Sequence, residues 1–235
     1  MSRGKQEVWP KALDLANKAL QATSGLDLPL GDHWGNTVIV FLHLANERLD
    51  SIRRLLIQGH NDSSVILVRS FFELAVNLAF IRQDVASRLP EYLRHGGIPT
   101  SEKEVDELKE KITQFKDRQI NVEDMVPHKS WKAVRTMCRK LGGEWLKEYE
   151  VFYRSTSVPA HAGSFTLASN FVRLLEQQPL PNHDKASVLV TALDFHLRIA
   201  QIAAEVFPNE IQLQTLKELI NECQELGQSV VAGMK

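Results

Sequence analysis

The chain has 235 residues, of which 43% are apolar, and a formal net charge of −1 at pH 7. This composition allows a sizeable hydrophobic core, while the near-neutral charge excludes a general electrostatic attraction to nucleic acid or membranes, so any polyanion contact must come from a local patch. The only two cysteines, Cys138 and Cys223, exclude a disulfide framework and a four-thiolate metal site, so we expect a reduced, cytoplasmic protein.

Apolar residues return at intervals of three and four along nearly the whole chain, and alternating strand patterns are missing. The sequence therefore predicts an all-α helical bundle with a single domain over residues 1–235, in which residues 1–32 form an N-terminal helix and loop. Two helices with wide apolar faces are expected at about 34–58 and 63–84. The second is apolar on most sides, which is typical of a central helix of a bundle.

The middle of the chain is more charged. Residues 88–126 contain charges of alternating sign, which predicts a solvated helical excursion from the bundle. The helix expected after it has an apolar stripe beside a basic stripe of Lys132, Arg135 and Arg139, which are candidate nucleic-acid contacts. Two final helices are expected at about 184–206 and 209–231, and the first of them should complete the centre of the bundle.

A polar seam interrupts the apolar helix at 63–84. Arg69, Glu73 and Asn77 follow one another at four-residue spacing, so they lie on one helical face. A charge buried without a partner costs several kcal/mol, so we expect the arginine and the glutamate to be paired. The simplest partner for each is the other, and a polar counterpart elsewhere in the chain is the functional alternative.

The best counterpart is a polar ladder later in the sequence. Tyr149, Tyr153, Ser157 and His161 also recur at four-residue spacing. Pro159 cannot continue a helix that began earlier, so we expect a break near 156–159, after which the serine caps a new helix.

Arg154 and His161 flank that break. A helix start presents free amide groups that favour anions, so a neutral imidazole and a guanidinium there would form a phosphate site. In that site His161 would exchange protons and Arg154 would stabilise negative charge. The alternative is that the tyrosines only pack, the serine only caps, and the histidine bonds a backbone carbonyl.

Patterns for other kinds of site are missing. The sequence has no His-Glu-x-x-His motif, P-loop or dinucleotide fingerprint, so we expect no metal and no cofactor. His196 lies on an apolar stripe and is interpreted as a hydrogen-bonded core histidine. The most apolar runs are interrupted by histidine or charged residues, so we expect no membrane span.

These motifs resemble an uncharacterised family of bacterial all-helical domains. Its members have a Leu-x-Arg-x-x-x-Glu helix, here Leu67, Arg69 and Glu73, and a downstream Tyr-x-x-x-Tyr-x-x-x-Ser-x-x-x-His segment. The resemblance covers about residues 34–205.

More distantly, Arg154 and His161, with six residues between them, are similar to the Arg-x(4–6)-His signature of the HEPN superfamily. That resemblance implies a dimeric, metal-independent ribonuclease that uses this arginine and histidine at the interface between subunits. The sequence departs from the usual pattern at Ser155 and Pro159.

Two hypotheses follow. The first is a homodimeric, HEPN-like effector that binds or cleaves RNA by acid–base chemistry. The second is a non-catalytic helical module that binds another protein. The first requires Arg154 and His161 to share an accessible cleft or dimer interface near the basic stripe, whereas the second does not.

Overall fold

The computed structural model describes residues 8–95, 132–153 and 182–233, together with Lys103, Asp106 and Glu110. Within these ranges every regular element is helical, so the all-α prediction is confirmed. In chain order the elements are α1 (Val8–Thr23), α2 (His33–Gln58), α3 (Asn61–Arg82), α4 (Val85–His95), α5 (Val134–Leu141), α6 (Gly143–Glu148), a π-helical turn (Tyr149–Tyr153), α7 (Asn182–Val206) and α8 (Leu213–Gly233).

Three helices, α2, α3 and α7, pack against one another in every pairwise combination and form the centre of the bundle. Aromatic rings join two of them, because the Phe195 ring of α7 lies 5.3 Å from the Phe72 ring of α3 and 6.4 Å from that of Phe71, between centroids. All three side chains are buried. These are the helices that the sequence predicts to be central, and their wide apolar faces explain the arrangement.

Helix α2 has well-defined ends. The Asp32 carboxylate accepts a hydrogen bond from the Gly35 amide at 2.7 Å, which satisfies one of the free donors of the first turn. At the other end Gly59 adopts a left-handed conformation, with φ of 84°, and α3 begins two residues later. This short connection makes α2 and α3 adjacent.

Helices α3 and α7 are long and apolar enough to cross a bilayer, judged by length and composition alone. In the windows that meet this criterion, 61% of the α3 residues and 67% of the α7 residues are buried inside the bundle. A helix at the centre of a bundle has the same composition, and both helices occupy that position.

Helix α4 continues through Pro90 and contacts α3. Its Leu89 and Leu93 are buried, so the segment 88–126, predicted to be a solvated excursion, starts with a turn that packs on the core. Most of the remainder of that segment lies outside the described residues. Lys103, Asp106 and Glu110 are helical and exposed.

A buried polar network joins α1, α2 and α7. His196 is fully buried, and its Nε2 lies 2.8 Å from Asn46 Oδ1 and 3.2 Å from Thr23 Oγ1. The Asn46 amide is oriented by its own donation to the Thr23 carbonyl at 2.9 Å, so Oδ1 accepts and His196 Nε2 carries the proton. The core position predicted for His196 is confirmed, although its Nδ1 has no hydrogen-bond partner among the described residues.

The His196 network predicts a specific acid sensitivity. Burial lowers the pKa of His196 from 6.5 to about 4, so in this interval the unfolded chain binds one more proton than the folded chain. The stability contributed by the neutral imidazole is fully present above pH 6.5 and is lost as the pH falls toward 4, at about 1.4 kcal/mol per pH unit. Urea unfolding across this interval should show a shallower pH dependence for His196→Gln than for the wild type.

The control is His43→Gln, which changes an exposed histidine on α2. It should retain the wild-type pH dependence, whatever its effect on stability at neutral pH. Equal slopes for His196→Gln and the wild type would show that His196 does not titrate on unfolding.

Candidate functional site

The two predicted catalytic residues, Arg154 and His161, lie outside the described residues, as does Ser157 of the polar ladder. The structure describes the chain up to Tyr153, the residue directly before Arg154. What can be built from the residues upward is therefore the surface that leads to this position: the polar seam of α3, the π-helical turn and the basic helix α5.

Two glycines determine how the chain enters this region. Gly142 ends α5 with φ of 72° and ψ of −165°, a conformation available almost exclusively to glycine, and Gly143 has φ of 49°. Helix α6 begins there and widens into the π-helical turn at Tyr149–Tyr153. Single π-helical turns are rare and occur frequently at functional sites.

The π-helical turn stacks the first two members of the polar ladder. The Tyr149 and Tyr153 rings lie 5.1 Å apart between centroids, with an interplanar angle of 24°. The Tyr153 ring also lies 5.5 Å from the buried Phe72 ring of α3. The sequence spacing predicts that these tyrosines share a face, but it does not predict the π-helical geometry.

The Tyr153 hydroxyl joins the polar ladder to the polar seam. It donates a hydrogen bond to Glu73 Oε1 at 2.5 Å and accepts one from Arg69 Nη2 at 3.0 Å. The guanidinium of Arg69 also lies over the Tyr153 ring, 4.1 Å from its centroid, while its Nε is 3.8 Å from Glu73 Oε1. The two predicted features therefore meet at a single hydroxyl.

Burial and the nearby carboxylate keep this phenol neutral. Desolvation, followed by the hydrogen bond to the Glu73 carboxylate, raises the pKa of Tyr153 to about 12. At neutral pH Tyr153 is therefore a hydrogen-bond donor, not a general base. Its chemical role here is to orient groups around it.

The third member of the seam acts through the backbone, because Asn77 Nδ2 donates to the Glu73 carbonyl oxygen at 2.8 Å. A further cation, Arg48 of α2, also lies near the seam and donates to the Ser70 carbonyl at 2.8 Å. Burial lowers the pKa of Arg48, and the charge of Glu73 opposes that shift. The sequence analysis missed Arg48, although a charge beside the buried stripe of a central helix was a signal for it.

A second ion-pair cluster fixes α6 against α7. Arg198 donates to both carboxylate oxygens of Glu148, to one of them at 2.9 Å, and contacts Asp194 Oδ2 at 2.6 Å. Its guanidinium lies 4.7 Å from the centroid of the Trp145 ring. Burial raises the pKa of Glu148, and Arg198 opposes this increase. The cluster therefore holds the residues just before the π-helical turn.

The predicted basic stripe lies between α4 and this turn. Lys132 pairs with Glu91 of α4 at 2.6 Å, and Arg135 pairs with Glu150 of the π-helical turn at 3.4 Å. Arg139 is exposed. Two of the three predicted nucleic-acid contacts therefore also connect α5 to its neighbours.

Comparison with known proteins identifies one characterised boundary for the chain. Residues 36–179, more than half of the sequence, match a family described as a family of unknown function (DUF5677). No curated protein and no solved structure matches the sequence. The matched range extends from α2 through the π-helical turn and includes the positions of Arg154 and His161. Among the described residues no group of histidine, cysteine and acidic side chains is arranged to hold a metal ion.

Removing the Glu73 carboxylate should destabilise the bundle moderately. The sequence analysis places the seam in the core, but the Glu73 side chain is 40% exposed and that of Arg69 19% exposed, so water partly replaces the lost partner. We expect Glu73→Ala to lower the free energy of unfolding by about 1–2 kcal/mol. The matched control is Glu47→Ala, which breaks a more exposed pair with His43 at the same spacing and should cost under about 0.5 kcal/mol. Equal losses in urea unfolding would show that Tyr153 and Arg69 gain nothing from the carboxylate.

Arg198 should be the more costly cation to remove. Arg198→Ala leaves the half-buried Glu148 and the nearby Asp194 without their shared partner, which should lower the free energy of unfolding by about 2–4 kcal/mol. Arg82→Ala removes an arginine from a more exposed pair with Glu205 and should cost under about 1 kcal/mol. Thermal denaturation of both variants tests the difference, and a smaller loss for Arg198→Ala would contradict it.

Proposed function

We propose that this chain, which belongs to the family of unknown function DUF5677, is a HEPN-like effector that binds RNA and cleaves it without a metal ion. The proposal includes a homodimer, because the resemblance implies an active site shared by two subunits. It also includes a cytoplasmic location, which the two buried free thiols, Cys138 and Cys223, fit.

One observation carries the proposal: the Tyr153 hydroxyl is held by Arg69 and Glu73. This contact anchors the backbone directly before Arg154, and an arginine that stabilises a transition state must be held in a defined position. The stacked Tyr149 ring and the Arg198 cluster support the same segment from the other side. We interpret Arg69, Glu73 and Tyr153 as positioning residues.

The proposed reaction uses the 2′-hydroxyl of RNA as the nucleophile. His161 of one subunit removes its proton, the oxygen attacks the adjacent phosphorus, and the bond from phosphorus to the 5′-oxygen breaks. The leaving oxygen receives a proton from His161 of the second subunit in its imidazolium form. Arg154 binds a non-bridging phosphate oxygen as its negative charge increases. The products are a 2′,3′-cyclic phosphate and a 5′-hydroxyl, so the reaction consumes no metal and no cofactor.

The cationic edge of α5 supports RNA as the substrate class. Lys132, Arg135 and Arg139 are contributed by a helix that also contacts the π-helical turn through Glu150. Phosphate contacts of this kind bind the backbone of RNA without reading its sequence. The substrate that fits is therefore single-stranded RNA, bound through its phosphates.

A non-catalytic protein-interaction module is the second candidate. Arg69, Glu73 and Tyr153 satisfy one another by hydrogen bonds, and such a cluster stabilises a bundle without any reaction. In that case Arg154 and His161 would contribute to packing or to a protein interface. The partner would then be another protein of unspecified identity.

The nuclease proposal predicts a large loss of activity from two substitutions. His161→Ala should lower cleavage of single-stranded RNA about a hundredfold or more, because one acid–base group contributes that much. Arg154→Lys should also lose most of the activity, since an ammonium cannot make the planar two-donor contact with phosphate. His43→Ala, a change to an exposed histidine on α2, is the matched control and should retain full activity.

Cleavage is measured with labelled single-stranded RNA in the presence of a chelator, between mildly acidic and mildly basic pH. Circular dichroism and size-exclusion chromatography check that the variants fold and dimerise as the wild type does. A wild-type protein that neither binds nor cleaves RNA under these conditions would contradict the proposal and favour the interaction module.

A further inference from the structure

Three cations surround one buried aromatic ring at the junction of α3, α4 and α5. The guanidinium of Arg88 lies 3.8 Å from the centroid of the Phe80 ring, and the ammonium groups of Lys132 and Lys140 lie 5.5 Å and 6.0 Å from it. Phe80 itself is fully buried. We refer to Arg88, Lys132 and Lys140 as the Phe80 cation cluster. Its members come from distant parts of the sequence, so no spacing pattern indicates it.

The cluster has donor groups that the protein does not use. Arg88 Nη1 donates to the Phe80 carbonyl oxygen at 2.5 Å and to Gln83 Oε1 at 3.0 Å, which fixes the guanidinium on the ring. Within the described ranges, Arg88 Nε and Nη2 and the ammonium of the exposed Lys140 make no hydrogen bond or ion pair. A rigid guanidinium beside an exposed ammonium provides directed donors for an anion.

The local charge is strongly positive. Residues 85–95 and 132–141 carry six cationic side chains and a single carboxylate, Glu91, whereas the whole chain has a formal net charge of −1. Cations held around one ring repel one another, and the contact with the ring face offsets only part of this repulsion. An anion bound among them would remove the repulsion. The concentration of charge therefore favours an anionic ligand.

We propose that the Phe80 cation cluster binds a phosphate group of single-stranded RNA and extends the RNA-binding surface across α5 to α4. The geometry of α5 connects the two ends of this surface, because Lys132 contacts Glu91 of α4 while Arg135 contacts Glu150 of the π-helical turn. RNA bound at the cluster continues along the exposed Arg139 toward the position of Arg154. This inference rests on the proposed function and assigns to it a phosphate-binding site outside the predicted stripe.

Lys140 is the residue to test, because it is exposed and makes no ion pair in the described part of the chain. Binding of a fluorescein-labelled oligouridine is measured by anisotropy with the full chain carrying His161→Ala, so that the RNA stays intact. Lys140→Glu should weaken binding about tenfold at about 100 mM salt and reduce the slope of log Kd against log salt by about one. Lys140→Arg retains the charge and should bind as tightly as the parent. Lys217→Glu makes the same charge change at an exposed site on α8 and should have less than a twofold effect.

The outcomes separate this inference from the proposed function. Equal affinities of Lys140→Glu and Lys217→Glu would overturn the cluster as an RNA site, while loss of cleavage in His161→Ala would leave the nuclease proposal standing. Weaker binding by Lys140→Glu together with unchanged cleavage by His161→Ala would support the cluster and contradict the nuclease. No measurable RNA binding by the wild-type chain would overturn both.

Discussion

The ion pair on the central helix is the constraint on which the arrangement of this bundle depends. Helix α3 contacts both other central helices, so its charged residues have few directions in which to find partners. Arg69 and Glu73 meet this requirement by binding each other and the Tyr153 hydroxyl, which comes from a segment 80 residues later in the chain. Leaving either charge without a partner would cost more than the pair itself contributes, so the contact restricts where the π-helical turn can lie. The helix that supplies most of the core thereby also determines the position of the candidate site.

Charges elsewhere on this face follow a division of roles. Arg198 is bound by two carboxylates and holds α6 against α7, whereas Arg88 and Lys140 gather around an aromatic ring and keep donor groups available. The first arrangement fixes helices, because every strong donor has an acceptor of the protein. The second favours a ligand, because the acceptors are missing from the part of the chain that the structure describes. Lys132 and Arg135 combine both roles, since each pairs with a neighbouring element at the edge of the basic surface.

The fold was largely predictable from the sequence, and the candidate site only in part. Apolar periodicity identified α2, α3 and α7 as central helices, because burial on several sides leaves a wide apolar face. The cost of unpaired charge indicated correctly that Arg69 and Glu73 bind each other, and four-residue spacing brought Tyr149 and Tyr153 to one face. The exposure of Glu73, the contribution of Arg48 and the Phe80 cation cluster depend on how helices from distant segments approach one another. Spacing within one helix contains no information about that approach.

The π-helical turn has a further consequence for how this bundle tolerates insertions and deletions. A π-helical turn holds one residue more than the α-helical turn that would otherwise occupy its place, and each residue of an α-helix rotates the chain by about 100° about the axis. Loss of one residue between Tyr149 and Tyr153 would therefore restore α-helical geometry and turn the following chain by about that angle. The Tyr153 hydroxyl would leave its position between Arg69 and Glu73, while the core around Phe72 and Phe195 would keep its composition. In this bundle a change of a single residue in length separates the orientation of the candidate site from the integrity of the fold.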